Sequence, residues 1–214
     1  MGAQQAFHWG ALHGEKTGGI IPLCGTAKTT IQNWITLEGC KLALQSDVNY
    51  NNGDYSSPPK KGLKAFSRNY TSTLFDKEGY EEGLHLNLFD GFEDTESYLN
   101  FMDSFFGSID ANDLLGMLNT WQMGDIGKHE KFNNNTKKAL ANINCPALVM
   151  PSSTDLSFPA RNNIPEVKGM PNAELKVINT KHGHLAGGMS TTLTSQEDVA
   201  FIDKNIREFL KKIT

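Results

Sequence analysis

The sequence predicts an α/β protein: a short parallel sheet flanked by helices, with a helical insertion at one end. Three observations lead there. The chain holds three short apolar runs bounded by turn residues: GGIIPLCG at 18–25, PALVMP at 146–151 and AELKVIN at 173–179. A helix-compatible stretch, Ala160–Lys168, separates the last two, and the clearest helix of the chain follows the third. Strand, helix, strand, helix at this spacing favours parallel pairing with right-handed crossovers.

The elements can be justified in order. The opening MGAQQAFHWGALHG is good helical material, with His13-Gly14 as its stop and nothing ahead of Gly2 to cap it. The run at 18–25 is the first strand. From Thr29 to about Asn144 the pattern turns helical in TTIQNWITLEGCKLALQ, KKGLKAFSRNYTSTLF, DTESYLNFMDSFFG and DANDLLGMLNTWQMGDIG, punctuated by the turn-rich NYNNGDYSSPP and GKHEKFNNN. Residues 29–144 therefore read as a helical cap, and 1–28 with 145–214 as a partial α/β core. In the helix at 160–168, Pro165 is expected to cause a kink or an early end. In SQEDVAFIDKNIREFLKKIT, Ser195 can cap, Asp198 stands three residues on, and Val199, Ile202, Ile206, Phe209 and Leu210 share one face.

Composition narrows the function classes. With 214 residues, 38% of them apolar and 21% charged, the chain can bury one sizeable core. A net charge of −4 and no basic run longer than Lys60-Lys61 or Lys211-Lys212 argue against a nucleic-acid or anionic-membrane surface. No window approaches a transmembrane stretch, and no basic-then-apolar leader opens the chain. Cys24, Cys40 and Cys145 lack metal-ligand spacing, which points to reduced thiols and a cytoplasmic protein.

In open parallel sheets, functional side chains stand in loops beyond the carboxyl ends of strands. SSTDLSFP places Asp155 beyond the second run, and TKHGHLAGG places His184 beyond the third, 29 residues later. An acid and a histidine on successive strand ends can hold an imidazole in one tautomer and stabilise its cation. Taken singly, Asp155 is an ordinary turn aspartate and His184 a surface histidine, and His182 competes for the same role. No histidine pair has metal-ligand spacing. There is no G-x-G-x-x-G or P-loop, which ranks a nucleotide-binding domain last.

The stretches MGAQQAFHWG…IIPLCGTAKTTIQNW, NDLLGMLNTWQ, PALVMPSSTDLSFP, MPNAELKVI and GHLAG resemble the homoserine O-acetyltransferase-like family of α/β-hydrolase-fold proteins. The resemblance implies that the chain is the C-terminal part of that fold, beginning one residue past the nucleophilic Ser of a G-x-S-x-G elbow. It also implies Asp155 as the imidazole-orienting acid, His184 as the general base and Met1 at the oxyanion-hole position. Arg68 then falls near a substrate-binding arginine. The homoserine enzymes follow the histidine with an aspartate that holds the substrate's amino group; here the residue is Leu185, which cannot compensate an ammonium ion. Two readings follow. One is an acyltransferase or ester hydrolase working through a Ser–His–Asp triad, with no bound cofactor and acyl-CoA as co-substrate if it transfers. The other is a non-catalytic remnant that binds a ligand or partner. Thr26 lacks the elbow's glycines, so the chain as written is expected to be inactive, and a second copy or another partner is expected on its open sheet edge.

Overall fold

The elements run α1 (Gly2–His13), α2 (Ile31–Gln45), α3 (Lys60–Thr71), α4 (Lys77–Glu81), α5 (Thr95–Gly107), α6 (Ala111–Gln122), α7 (Thr136–Ala141), β1 (Ala147–Val149), α8 (Ala160–Lys168), β2 (Ala173–Leu175) and α9 (Gln196–Ile213). They are seen in a computed structural model, which describes residues 1–188 and 192–213.

β1 and β2 pair in parallel, with Ala147 opposite Ala173 and Val149 opposite Leu175. The run at 18–25 lies along the other side of β1, but as two separate bridges, Ile20 to Ala147 and Leu23 to Met150, not as the continuous strand its apolar pattern predicts. Pro22 is the reason. The N–H of Ile20 donates to the Pro146 carbonyl at 2.9 Å and that of Cys24 to the Met150 carbonyl at 3.1 Å. The rung between them would need an N–H at Pro22, which proline lacks.

Alternation along β1 builds two layers around the sheet. Ala147 and Val149 pack on one face with Phe7 and Ala11 of α1, Ile20, and Ala139 and Leu140 of α7. Leu148 and Met150 pack on the other with Ile178 and with Ile202 and Phe209 of α9. α9 starts as its sequence suggests, the Ser195 hydroxyl accepting the Asp198 N–H at 3.0 Å. α8 runs its full span with Pro165 inside it and is not shortened. Pro165 is the sixth of its nine residues, and the chain stays helical for three more.

The third apolar cluster is built by α2, α3, α5 and α6, whose buried residues include Leu37, Leu44, Leu63, Phe66, Tyr98, Leu114 and Leu118. Side-chain caps start three of these four, α2, α5 and α6. Thr30 accepts from the Asn33 N–H, Asp94 and Ser97 form a reciprocal box, and Asp110 accepts from Asn112 and Asp113. Phe158 and Leu185, from the strand-end loops, pack into the same cluster, so the helical layer closes over the carboxyl ends of the strands. Ile126, Phe132 and Ile143, inside the stretch read as cap, join the sheet-side cluster instead.

One loop links the layers. Asn163 of α8, fully buried, donates from Nδ2 to the Gly25 carbonyl and to Oε2 of Glu166, each at 2.8 Å. Oε1 of Glu166 accepts the Ala27 N–H at 2.8 Å. Gly25, held this way, lies under the start of α1: a Cβ at this position would come within 2.4 Å of the Ala3 Cβ. No side chain larger than hydrogen fits there.

Candidate active site

β1 ends at Val149, and the chain after it turns back through Asp155, whose side chain has no exposed surface. Its two oxygens do different work. Oδ1 accepts the backbone N–H groups of Ser157 at 2.8 Å and Phe158 at 2.9 Å, which fixes the carboxylate to its own loop. Oδ2 lies 2.8 Å from Nδ1 of His184. That contact makes Nδ1 the protonated nitrogen and leaves Nε2 as the acceptor.

His184 belongs to a short turn of 3-10 helix, Gly183–Gly188, that follows the last strand-like residues. The turn is fastened from two directions. From the acid's loop, the Thr154 hydroxyl accepts the Gly183 N–H at 3.2 Å and donates to the Thr180 carbonyl at 2.8 Å. From the cap, the Leu74 carbonyl accepts the His184 N–H at 2.8 Å. Gly183 has φ +55°, and a Cβ there would stand 2.3 Å from that carbonyl, so the close approach requires glycine. The imidazole lies against the Phe158 ring at 5.3 Å, and Phe158 stacks on Trp121 of α6 at 5.4 Å. An apolar wall of this kind excludes water from one side of the dyad.

The open side of His184 faces a cavity of about 470 Å³ shared with Met1, Ala3, Leu23, Cys24 and Leu185. Met1 thus lines the same cavity as the histidine, its carbonyl accepting the Gln5 N–H at 3.1 Å as α1 begins. Leu185 turns its side chain to both the cavity and the cap cluster. Cys24 escaped sequence reasoning. It has φ +41° and is nearly buried, and its thiol is pushed up to about 12, first by burial and then by the charge of Asp155. The thiolate is therefore scarce at neutral pH, and Cys24 is a poor nucleophile despite its place. Nothing in its surrounding sequence distinguishes it from an ordinary core cysteine.

The structure separates the two histidines. His182, 19% exposed, has Nδ1 3.4 Å from Oδ2 of Asp198 and 3.1 Å from the Thr180 hydroxyl. Arg68 is not brought to the cavity. Its guanidinium is held on the cap surface by Asp103 at 2.9 Å and Glu96 at 2.9 Å, and both pairs raise its already high pKa. With its charge already met by two carboxylates, Arg68 has little left to offer a substrate anion. Among the described residues no group of histidine, cysteine, aspartate or glutamate is arranged to hold a metal ion.

Fold and dyad define the class: the chain is the C-terminal portion of an α/β-hydrolase fold, related to esterases and to homoserine O-acyltransferases. No protein-family model matches it. It is 32% identical over 214 residues to a protein of Corynebacterium glutamicum described as a probable esterase, covering 99% of this chain and 59% of that one. An ethyl acetate hydrolase of Pseudomonas veronii is 30% identical over 188 residues, 86% of this chain and 53% of that one. A homoserine O-acetyltransferase of Chlorobaculum parvum is 24% identical over 200 residues, 92% of this chain and 55% of that one. Among solved structures, an acetylester hydrolase from Corynebacterium glutamicum superposes with a TM-score of 0.88 at 31% identity, over 99% of this chain and 59% of that one. The chain thus spans between half and three fifths of the length of these three curated relatives. Among the described residues, no helix is long and apolar enough to cross a membrane.

Proposed function

We propose that these residues supply the acid and base of a serine-type ester hydrolase acting on small, uncharged acyl esters. The observation that carries this reading is the 2.8 Å contact between buried Asp155 and His184, with Nε2 left free to take a proton. The nucleophilic hydroxyl belongs to a residue outside these 214, ahead of α1, because Met1, Gly2 and Ala3 already line the cavity beside His184. In the first step that hydroxyl attacks the ester carbonyl while Nε2 of His184 accepts its proton. Asp155 holds Nδ1–H and stabilises the imidazolium. The oxyanion meets backbone N–H at the start of α1, the position of Met1. His184 then protonates the departing alcohol, and in a second half-reaction takes a proton from water as that water releases the acid. No bound cofactor enters the cycle.

Leu185 favours water over an amino-acid acceptor. An acceptor carrying an ammonium group would have to leave its charge against that apolar side chain, with no compensating carboxylate from this position. The names of two relatives at 30% identity or more, a probable esterase and an ethyl acetate hydrolase, support the same choice. Acyl-CoA belongs only to the transferase alternative.

The test uses a fluorophosphonate probe and 4-nitrophenyl acetate on two samples, the 214-residue chain and the protein isolated from its source cells with its intact mass measured. We expect no labelling of the chain alone. The native protein should be heavier, label at a serine just ahead of Met1, and hydrolyse acetyl esters without using homoserine as acceptor. A native mass equal to that of the 214-residue chain, or stoichiometric labelling of that chain, would overturn the proposal.

A further inference from the structure

The loop that carries His184 is held on its far side by a second carboxylate, and we infer that Asp198 is a positioning residue for the base. The inference rests on the reading of His184 as that base.

Asp198 lies in the first turn of α9, yet α9 does not need its side chain as a cap, because the Ser195 hydroxyl fills that role. The carboxylate instead gathers donors. Its Oδ2 accepts the Thr180 hydroxyl at 2.5 Å and the Thr194 hydroxyl at 2.8 Å, with Nδ1 of His182 at 3.4 Å. The same Thr180 hydroxyl accepts the His182 N–H at 3.1 Å. Thr180 and His182 precede His184 by four and two residues. Opposite Asp198, the acid's loop holds the same residue: Ser153 donates to the Thr180 carbonyl at 3.1 Å and accepts its N–H at 3.1 Å. Thr180 is therefore gripped between α9 on one side and the Asp155 loop on the other.

An ionised carboxylate suits this task better than a neutral group. It accepts several donors at once with charge-assisted strength, and the start of a helix stabilises its negative charge. The catalytic contact it serves tolerates little displacement, since a productive acid–base geometry must be kept to about 0.5 Å. Asp198 touches neither the cavity nor the reacting nitrogen, so it acts through the loop alone.

The test reads the Nδ1 proton of His184 by proton NMR on the full-length protein, the resonance being assigned by its loss in Asp155→Asn. In the wild type the proton should be visible and slow to exchange with water. Asp198→Ala and Thr180→Val should speed its exchange at least tenfold. Thr194→Val, which removes a donor to Asp198 just ahead of α9 but none on the histidine's loop, should leave it unchanged. Asp198→Asn, whose amide oxygen still accepts from Thr180, should retain most of the protection. Should Asp198→Ala fail to fold, Thr180→Val decides. Wild-type exchange in Thr180→Val would overturn the positioning role while leaving the Asp155–His184 pair intact. Absence of the resonance in the wild type would overturn both.

Discussion

Replacing Glu166 with glutamine isolates one buried charge whose effect on the fold depends on pH. Burial pushes this carboxyl up from 4.5 to about 7, although it accepts bonds from the Ala27 N–H and from Asn163. The sign follows from proton counting. Below pH 4.5 the group is protonated in both states. Between 4.5 and about 7 the native protein keeps a proton that the unfolded chain has lost, so native stability falls as pH rises through that window. Above it both states are ionised and the full penalty is in place, about 3 kcal/mol for a displacement from 4.5 to about 7. Glutamine has no proton to lose, and the remaining groups titrate alike in both proteins. The difference in unfolding free energy, wild type minus Glu166→Gln, should therefore drop by about 3 kcal/mol between pH 4.5 and pH 8. Urea unfolding of both proteins across that range measures it. Parallel curves, or a difference that grows in favour of the wild type, would refute the argument.

Other expectations are simpler to state. On the proposed reading, Asp155→Asn in the full-length protein should lower kcat for acetyl ester hydrolysis on the order of 10⁴-fold by losing control of the imidazole tautomer, and a loss below tenfold would deny Asp155 that role. Gly183→Ala should cost at least about 2 kcal/mol in thermal or urea unfolding, since it adds a Cβ in the left-handed region against the Leu74 carbonyl; a neutral result would mean that the turn relaxes easily. The native chain should resist an anionic thiol reagent at pH 8, because burial raises the pKa of all three cysteines, Cys24 to about 12 and Cys40 to about 11; rapid labelling of any one would contradict this.

The parts of this molecule that were legible in the sequence are those set by local rules. α9 follows from apolar periodicity and a serine cap, and the acid and histidine loops from their places just after apolar runs. The run at 18–25 shows where a local pattern misleads: its hydrophobicity says strand, while Pro22 removes the rung that would make the ladder continuous. Contacts between distant segments were not legible. Nothing near Asp198 announces that it reaches Thr180, because that meeting depends on α9 folding back along the sheet. The hold of Glu166 on Ala27 spans 139 residues and likewise has no local signal. Arg68 illustrates the converse: resemblance suggested a site residue, and the cap's own carboxylates claim its charge.

The bond between the Leu74 carbonyl and the His184 amide has a mechanical consequence. A lid that swings freely would tear at the one peptide group that must stay still for the imidazole to face its acid. Whatever breathing admits a ligand to the cavity must therefore leave Leu74 in place and take up its travel farther out, as a door moves most at the edge away from its hinge. In this fold the hinge pin is the amide of the histidine itself.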